Sequence, residues 1–292
     1  MKLEGSFVAL VSPFKDEKLN EAKIRELVKF HIDNGTDGIV PCGTTGESPT
    51  LSDQEKDRLI EIVIEEATDK LTIVAGTGTN NTDKTIKATK RAKEMGADAA
   101  LVITPYYNKP TQEGLYRHFE AILKAVEFPI MIYNVPGRTS VNILPSTVAR
   151  LAKYENIVAI KEASGDLNQV SEIISRCGDS IKVFSGDDSL FTPILSVGGV
   201  GVVSVIANIV PQELKTLHTT FVEKKLTEVQ RLHQYLFPLC QAMFIETNPI
   251  PVKTAMNLIG MEVGDFRLPL APMSESNKQR LIDVIKSYGL LT

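Results

Sequence analysis

The sequence predicts an α/β protein, a (β/α)8 or TIM barrel with a C-terminal helical appendage, and three observations support this fold class. Short apolar, β-branched runs recur at regular intervals, and segments with helical periodicity separate them. The runs are continuously apolar, as at residues 157–160, which is typical of parallel strands covered on both faces. Eight such units fit into about 220 residues, which suits a (β/α)8 barrel.

The strands are predicted in order from the start of each apolar run. Their expected first residues are Phe7, Gly38, Thr72, Ala99, Ile130, Ile157, Lys182 and Gly201. An open doubly wound sheet is the alternative architecture. The first strand is not followed by the Gly-x-Gly-x-x-Gly pattern, which disfavours a dinucleotide-binding version of that sheet.

The helices between the strands carry their own start and stop signals. The first is expected to end at Asn34-Gly35, and the second to begin with a capping box formed by Ser52 and Glu55. A later helix presents one apolar face: Leu115, Phe119, Ile122, Leu123 and Val126. We expect the barrel with its active site to occupy residues 1–224, and a helical region packed on it to occupy residues 225–292.

Composition excludes several functional classes. The 292 residues carry a formal net charge of −4 and give a pI near 5.7, which argues against a general nucleic-acid binder. The longest nearly apolar stretch, residues 197–210, is too short to cross a membrane. Glu4 and the short apolar run after it argue against a secretory signal. We therefore expect a cytoplasmic protein.

Cysteine and histidine spacing predicts no metal site. The three cysteines lack a Cys-x-x-Cys pair, so neither a disulfide framework nor a zinc site is expected. Cys42 is interpreted as a small buried apolar residue. The four histidines show no spacing typical of metal ligands.

Polar and reactive residues follow the predicted strands where each strand ends. In a (β/α)8 barrel the active site forms at these carboxyl ends. The segments concerned are residues 43–48 (Gly-Thr-Thr-Gly-Glu-Ser), 104–108 (Thr-Pro-Tyr-Tyr-Asn), 133–138 (Tyr-Asn-Val-Pro-Gly-Arg), 161–162 (Lys-Glu) and 185–188 (Ser-Gly-Asp-Asp).

Lys161 is the candidate nucleophile because it follows an apolar strand directly. Burial disfavours the ammonium form, so a lysine in the barrel mouth is a candidate for Schiff-base chemistry. The alternative is a solvated lysine at a strand exit. Tyr133 ends the preceding strand, within plausible reach of that amine, and could relay protons; the alternative is a core tyrosine.

Other loop residues allow a functional and a structural interpretation. The loop at residues 43–48 could bind a carboxylate or phosphate, although such a Gly/Thr segment taken alone is more often an ordinary turn, and it is not a P-loop. Arg138 could bind a substrate carboxylate or be a surface charge. Tyr106 and Tyr107 could be loop packing. Residues 248–251, Asn-Pro-Ile-Pro, predict a rigid turn with Pro251 in the first turn of a helix.

The joint order of these motifs resembles the dihydrodipicolinate synthase family. The likeness runs from about Gly5 to the C-terminus. It rests on residues 43–48, 105–108, 133–138, 160–163 (Ile-Lys-Glu-Ala), 185–188 and 248–253 (Asn-Pro-Ile-Pro-Val-Lys). Several motifs are shared with the wider pyruvate-dependent aldolase and lyase superfamily, including N-acetylneuraminate lyase. Arg138 and Tyr107 favour the synthase branch.

The resemblance implies a condensation of pyruvate with L-aspartate 4-semialdehyde on the diaminopimelate route to lysine, without a metal or organic cofactor. It implies that Lys161 forms the Schiff base and that Tyr133, Thr44 and Tyr107 relay protons, with Tyr107 reaching in from a neighbouring subunit. The residues implied in substrate binding are Thr45, Arg138, Gly186 and Val203. A homotetramer, built as a dimer of dimers, is the implied assembly.

The resemblance also marks a possible regulatory site for L-lysine at the dimer interface. The matching positions are Ser48, Pro49, Asp53, Lys56, Asn80, Lys84 and Tyr106. Lys56 replaces a histidine and Lys84 a glutamate of lysine-sensitive members. The charge change predicts weak or absent inhibition, although Asp53 could partly replace the lost carboxylate and Lys56 could bind the ligand's own carboxylate.

Two other functions stay open at this stage. One is a sibling lyase that cleaves a 2-keto-3-deoxy sugar acid or sialic acid, whose polyol pocket has less need of a cation at Arg138. The other is a non-catalytic barrel that senses keto acids. The joint presence of Lys161, Tyr133, Thr44 and Tyr107 argues against the sensor.

Overall fold

The computed structural model describes residues 1–291 and contains a closed eight-stranded barrel. The barrel strands are β1 (Gly5–Ala9), β4 (Gly38–Val40), β5 (Thr72–Gly76), β6 (Ala99–Ile103), β7 (Ile130–Asn134), β8 (Ile157–Glu162), β9 (Lys182–Ser185) and β10 (Gly201–Ser204). Hydrogen-bonded neighbours follow the order β1-β10-β9-β8-β7-β6-β5-β4. The predicted fold class is confirmed, and only β1 begins elsewhere than expected, at Gly5 instead of Phe7.

A short antiparallel hairpin after β1 was not predicted. It pairs β2 (Phe14–Lys15) with β3 (Lys18–Leu19). The two residues between them, Asp16 and Glu17, have φ angles of 49° and 59°. Such two-residue turns usually contain Gly or Asn, and the absence of both from this turn removed the sequence signal.

The helices alternate with the barrel strands and then continue alone. They are α1 (Glu21–Asp33), α2 (Asp53–Ala67), α3 (Thr82–Met95), α4 (Gln112–Ala125), α5 (Pro136–Thr139), α6 (Pro145–Leu151), α7 (Leu167–Cys177), α8 (Phe191–Ser196), α9 (Pro211–Val222), α10 (Leu226–Ala242), α11 (Ile250–Leu258) and α12 (Glu275–Ser287). Asn34 caps the end of α1, and Ser52 and Glu55 form the predicted capping box of α2. Among the described residues, no helix has the length and hydropathy of a membrane span.

The chain separates into two compact units. The first consists of Met1–Gly5 and Thr72–Val203, and the second of Ser6–Leu71 and the chain from Ser204 onward. The first buries the apolar face of α4, including Leu115, Phe119 and Ile122. The second buries Leu59 and Ile62 of α2 and, in α12, the residues Leu281 and Ile285. The boundary expected at residue 224 remains a prediction.

Candidate active site

Lys161 and Tyr133 lie side by side in the first unit. β7 and β8 are parallel neighbours, and their register places Tyr133 opposite Lys161 near the carboxyl end of both strands. Nζ of Lys161 lies 4.2 Å from the centre of the Tyr133 ring. Each side chain is only 6% exposed. The pair that the sequence predicted to be within reach is therefore together.

The Lys161 amine is without a polar partner. Within residues 1–291, its Nζ forms no ion pair and donates no hydrogen bond. Its aliphatic stem runs past Gly186, where an added Cβ would lie 3.0 Å from Cε of Lys161 and 2.7 Å from Cβ of Ala163. The lack of a side chain at Gly186 thus leaves room for the aliphatic stem of Lys161.

Glu162, the next residue along β8, was not singled out from the sequence. Its carboxylate is 2% exposed and accepts hydrogen bonds from Nδ2 of Asn134 at 3.0 Å and Nε2 of Gln169 at 3.1 Å. The backbone N–H of Ser164 donates to it at 2.6 Å. These bonds tie the end of β8 to β7 and α7. The tandem motifs Tyr-Asn and Lys-Glu at adjacent strand ends could have signalled this pairing.

Three further predicted residues of the first unit differ in exposure. Arg138 lies on the short helix α5 and is exposed. The next residue, Thr139, is buried, and its hydroxyl donates to the carbonyl oxygens of Val135 and Val141. Val203 on β10 is 1% exposed. Tyr107 is 90% exposed, and its φ of 73° is in the left-handed region that non-glycine residues seldom adopt.

Part of the predicted regulatory set also lies in the first unit. The backbone carbonyl of Tyr106 accepts a hydrogen bond from Nδ2 of Asn80 at 3.2 Å, and Asn108 donates to the carbonyl of Asn80 at 3.0 Å. Lys84 lies exposed in the first turn of α3. Asn80 and the tyrosine loop are therefore brought together.

In the second unit, the loop at residues 43–48 follows β4 as predicted. Thr45 is 2% exposed and its Oγ1 accepts a hydrogen bond from Nδ2 of Asn248 at 3.0 Å, whereas Thr44 is half-buried. Nζ of Lys253 donates to Glu47 Oε1 at 2.7 Å, and both side chains are fully buried. Sequence reasoning interpreted residues 248–251 as a turn and missed these contacts.

The other predicted regulatory positions surround the start of α2. Ser48 and Pro49 begin a short 3-10 turn, and Asp53 and Lys56 lie in the first turns of α2. Pro49 and Asp53 are exposed, whereas Ser48 and Lys56 are half-buried.

Burial shifts the pKa values of Cys42 and of two histidines, His31 and His118. Burial raises the pKa of the Cys42 thiol to about 12, so the thiolate is not formed near neutral pH. Burial likewise lowers the pKa of His31 to about 3 and that of His118 to about 4. In the described part of the chain, no three His, Cys, Asp or Glu side chains are grouped to hold a metal ion.

The geometry suits covalent carbonyl chemistry. A buried amine without a counterion can add to a carbonyl and form a Schiff base, and a phenol beside it can transfer protons. In the second unit, a buried threonine hydroxyl that already accepts a hydrogen bond keeps its own proton for another acceptor, such as a carboxylate.

Comparisons with known proteins agree with this chemistry. The profile of the dihydrodipicolinate synthetase family matches residues 2–288. The 4-hydroxy-tetrahydrodipicolinate synthase of Geotalea uraniireducens is 55% identical over 288 residues, 99% of each chain. The crystal structure of dihydrodipicolinate synthase from Aquifex aeolicus superposes with a TM-score of 0.97, at 47% identity and 99% coverage of each chain.

A solved structure with a bound amino acid is also similar. The enzyme of Cyanidioschyzon merolae, crystallised with lysine bound, has a TM-score of 0.96, 40% identity and 99% coverage of each chain. Because the family profile spans nearly the whole sequence and relatives exceed half identity, the chain belongs to the dihydrodipicolinate synthetase family.

Proposed function

We propose that this chain is a Schiff-base lyase that condenses pyruvate with L-aspartate 4-semialdehyde to give 4-hydroxy-tetrahydrodipicolinate, on the diaminopimelate route to lysine. The observation that carries the proposal is the buried, unpaired amine of Lys161 at the end of β8, 4.2 Å from the Tyr133 ring. Family membership and the names of the close relatives support the same reaction.

The chemistry follows from the lysine amine. Nζ of Lys161 adds to C2 of pyruvate, and loss of water gives an imine. The imine withdraws electrons, so a proton leaves the methyl group and an enamine forms. The enamine carbon attacks the aldehyde of the second substrate, whose oxygen takes up a proton. The amino group of that substrate then attacks C2, closes the ring and releases Lys161.

The remaining residues bind the substrates and transfer protons. Tyr133, Thr44 and Tyr107 relay protons during imine formation and ring closure. The hydroxyl and N–H of Thr45 bind the pyruvate carboxylate, and the backbone at Gly186 and Val203 lines its pocket. Arg138 binds the carboxylate of the semialdehyde, since a guanidinium pairs with a carboxylate through two parallel hydrogen bonds.

The same proposal includes the assembly and the location. The exposed, strained Tyr107 suits a side chain that becomes buried against a second copy of the chain. We therefore assign a homo-oligomer. The family resemblance makes this a tetramer of two dimers, and we assign the protein to the cytoplasm on the sequence features described above. Its partners are the two substrates; neither a nucleic acid, a membrane nor a metal or organic cofactor takes part.

Borohydride trapping tests the proposal. Reduction in the presence of pyruvate should fix one adduct per chain, and peptide mapping should find it on Lys161. A coupled assay with pyruvate and the semialdehyde should then show turnover, whereas sugar-acid cleavage should be absent. An adduct on another lysine, no adduct, or sugar-acid cleavage as the main activity would refute the assignment.

The proposed regulation concerns L-lysine at the seven positions Ser48, Pro49, Asp53, Lys56, Asn80, Lys84 and Tyr106. Lys84 replaces an attraction for the ligand's ammonium groups with a repulsion, which weakens binding by more than about tenfold. We expect weak or absent inhibition at physiological L-lysine concentrations. A dose–response curve that shows strong, cooperative inhibition in the sub-millimolar range would contradict this.

A further inference from the structure

The loop after β4 and the first turn of α2, residues 43–55, are held by one distant segment, residues 248–267. Nδ2 of Asn248 donates to Thr45 Oγ1 at 3.0 Å, and Nζ of Lys253 donates to Glu47 Oε1 at 2.7 Å. The guanidinium of Arg267 forms two hydrogen bonds with the Glu55 carboxylate, at 2.9 and 2.6 Å. All these residues belong to the second unit.

The Lys253–Glu47 ion pair is fully buried, and its amine also bonds to the backbone. Both side chains have no exposed surface, and Nζ also donates to the carbonyl oxygen of Asp265 at 2.6 Å. The rings of Phe14 and Phe266 cover the amine at 4.5 and 5.2 Å. Apolar side chains of similar volume often stabilise a fold as well as a buried ion pair does. What distinguishes this pair from apolar side chains is the directed set of hydrogen bonds that it forms with fixed partners.

The backbone of the loop depends on that geometry. Glu47 has a φ of 52°, a conformation that side chains other than glycine hold only where their surroundings fix it. Its second carboxylate oxygen accepts the N–H of Arg267 at 3.3 Å. Glu47 thus receives bonds from two points of the distant segment, and Thr45 lies only two residues before it.

Asn248 sets the direction of the Thr45 proton. An amide nitrogen only donates, so the Thr45 oxygen acts as acceptor in this contact and its O–H points elsewhere. A hydroxyl that accepts this bond keeps its own proton available for an incoming carboxylate.

We propose that residues 248–253 position Thr45 for the pyruvate carboxylate, with Asn248 and Lys253 as positioning residues. This inference rests on the role that the proposed function gives to Thr45. Asn248 orients the hydroxyl directly, and Lys253 acts through Glu47 on the loop backbone. A displaced Thr45 loses a hydrogen bond to a charged group, which weakens pyruvate binding about 10- to 100-fold.

Two variants separate positioning from stability. The double variant Lys253→Met/Glu47→Leu replaces the ion pair with apolar side chains. It should keep a melting temperature near that of the wild type while raising KM for pyruvate at least about tenfold. Asn248→Asp is isosteric but accepts the Thr45 proton and repels the substrate carboxylate. It should raise the same KM. Because the change is isosteric, Asn248→Asp should fold even if the double variant fails to fold.

A matched control removes stability without touching the loop. Leu281→Ala empties a fully buried position of α12 and should lower the melting temperature, with KM for pyruvate unchanged. In both test variants, KM for the semialdehyde should stay within about twofold of the wild-type value. That change is smaller than the change in affinity that the loss of one hydrogen bond produces. Borohydride at saturating pyruvate should still label Lys161.

The outcomes distinguish the two proposals. A raised KM for pyruvate in either test variant, with the Leu281→Ala value unchanged, supports the positioning role. Wild-type KM in every test variant that folds, or an equal rise in Leu281→Ala, overturns it. If the wild-type protein itself gives no adduct on Lys161, the proposed function fails instead.

Discussion

Lys161 on β8 and Lys253 on α11 are both buried lysines, with exposed fractions of 6% and 0%. The surroundings of their amines are opposite. Lys253 is bonded to a carboxylate and a carbonyl oxygen, whereas Lys161 has the face of Tyr133 and no acceptor among the described residues. Burial alone therefore does not distinguish the two lysines; the difference lies in the counterion, which, within the described chain, only Lys253 has.

The contrast also predicts different costs of removal. Burial lowers the pKa of Lys253, and the neighbouring Glu47 opposes that shift, so the charged form depends on its partner. Removing one member of a buried ion pair leaves the other charge uncompensated, at a cost of about 3–5 kcal/mol of unfolding free energy. Removing Lys161 strands no such charge.

The largest expected effect tests this difference directly. Lys161→Ala should lower turnover by more than about a thousandfold because the nucleophile is lost. Its unfolding free energy should fall by far less than that of Lys253→Met, measured by urea denaturation. The contrast breaks if Lys161→Ala keeps its activity or if the two variants lose equal stability.

Tyr107 tests whether the surroundings of Lys161 are completed by a second chain. Tyr107→Phe should lower turnover about 10²- to 10⁴-fold, as for a proton-transferring group, while borohydride still traps pyruvate on Lys161. Mixed oligomers of Tyr107→Phe and Lys161→Ala chains should recover part of the activity. No recovery in verified mixed oligomers would assign the tyrosine to its own chain, and unchanged turnover in the single variant would assign it to packing.

Gly186 tests how closely the Lys161 stem must be accommodated. The added Cβ of Gly186→Ala would lie 2.7 Å from Cβ of Ala163 and 3.0 Å from Cε of Lys161, so the Lys161 stem and the backbone after β8 have to shift. A small displacement of a reacting group reduces turnover by up to about a hundredfold. Steady-state kinetics should show that loss. Gly137→Ala, where an added Cβ on α5 meets no neighbouring atom of the described chain, is the control for the effect of a Gly→Ala change on stability. Full activity would mean that the stem has room to spare.

The smallest expected effect concerns His31, a buried histidine whose pKa makes stability depend on pH. It is fully buried, its Nδ1 contacts Thr36 Oγ1 at 3.0 Å, and within residues 1–291 its Nε2 has no hydrogen-bond partner. Burial lowers its pKa from 6.5 to about 3. The unfolded chain therefore binds a proton that the folded chain refuses, and stability falls as pH decreases from 6.5 toward 3.

The measurement compares wild type with His31→Gln in urea. Between pH 7.5 and 5, the wild type should lose about 2 kcal/mol more unfolding free energy than the variant. Above pH 7.5 the two stability curves should run parallel. Parallel curves throughout the window would show that His31 takes up its proton equally in the folded and unfolded states, so that burial does not lower its pKa.

Much of this architecture was predictable because its signals are local. Strands β4 to β10 begin at the expected residues, since continuous apolar runs mark parallel strands wherever they occur. The capping box of Ser52 and Glu55 is a four-residue pattern and was found for the same reason. The β2–β3 hairpin was missed because its turn, Asp16-Glu17, lacks the residues that usually mark one.

The contacts that orient the candidate site were not predictable. Glu47 and Lys253 are 206 positions apart, and Thr45 and Asn248 are 203 apart. Each of these residues taken alone is compatible with a solvated side chain or a turn. The amide bonds around Glu162 likewise depend on how the ends of β7 and β8 pair.

The sequence by itself determined the order of the eight barrel strands and the identity of the candidate nucleophile, and the family resemblance of its motifs implied the class of reaction. The strand order depends on short-range periodicity, and the candidate nucleophile depends on residue type and on its place at a strand end. Only the tertiary structure decided which buried lysine has a counterion and which has none. Burial and hydrogen bonding depend on the neighbours that folding brings together, and for Lys253 those neighbours come from distant parts of the chain.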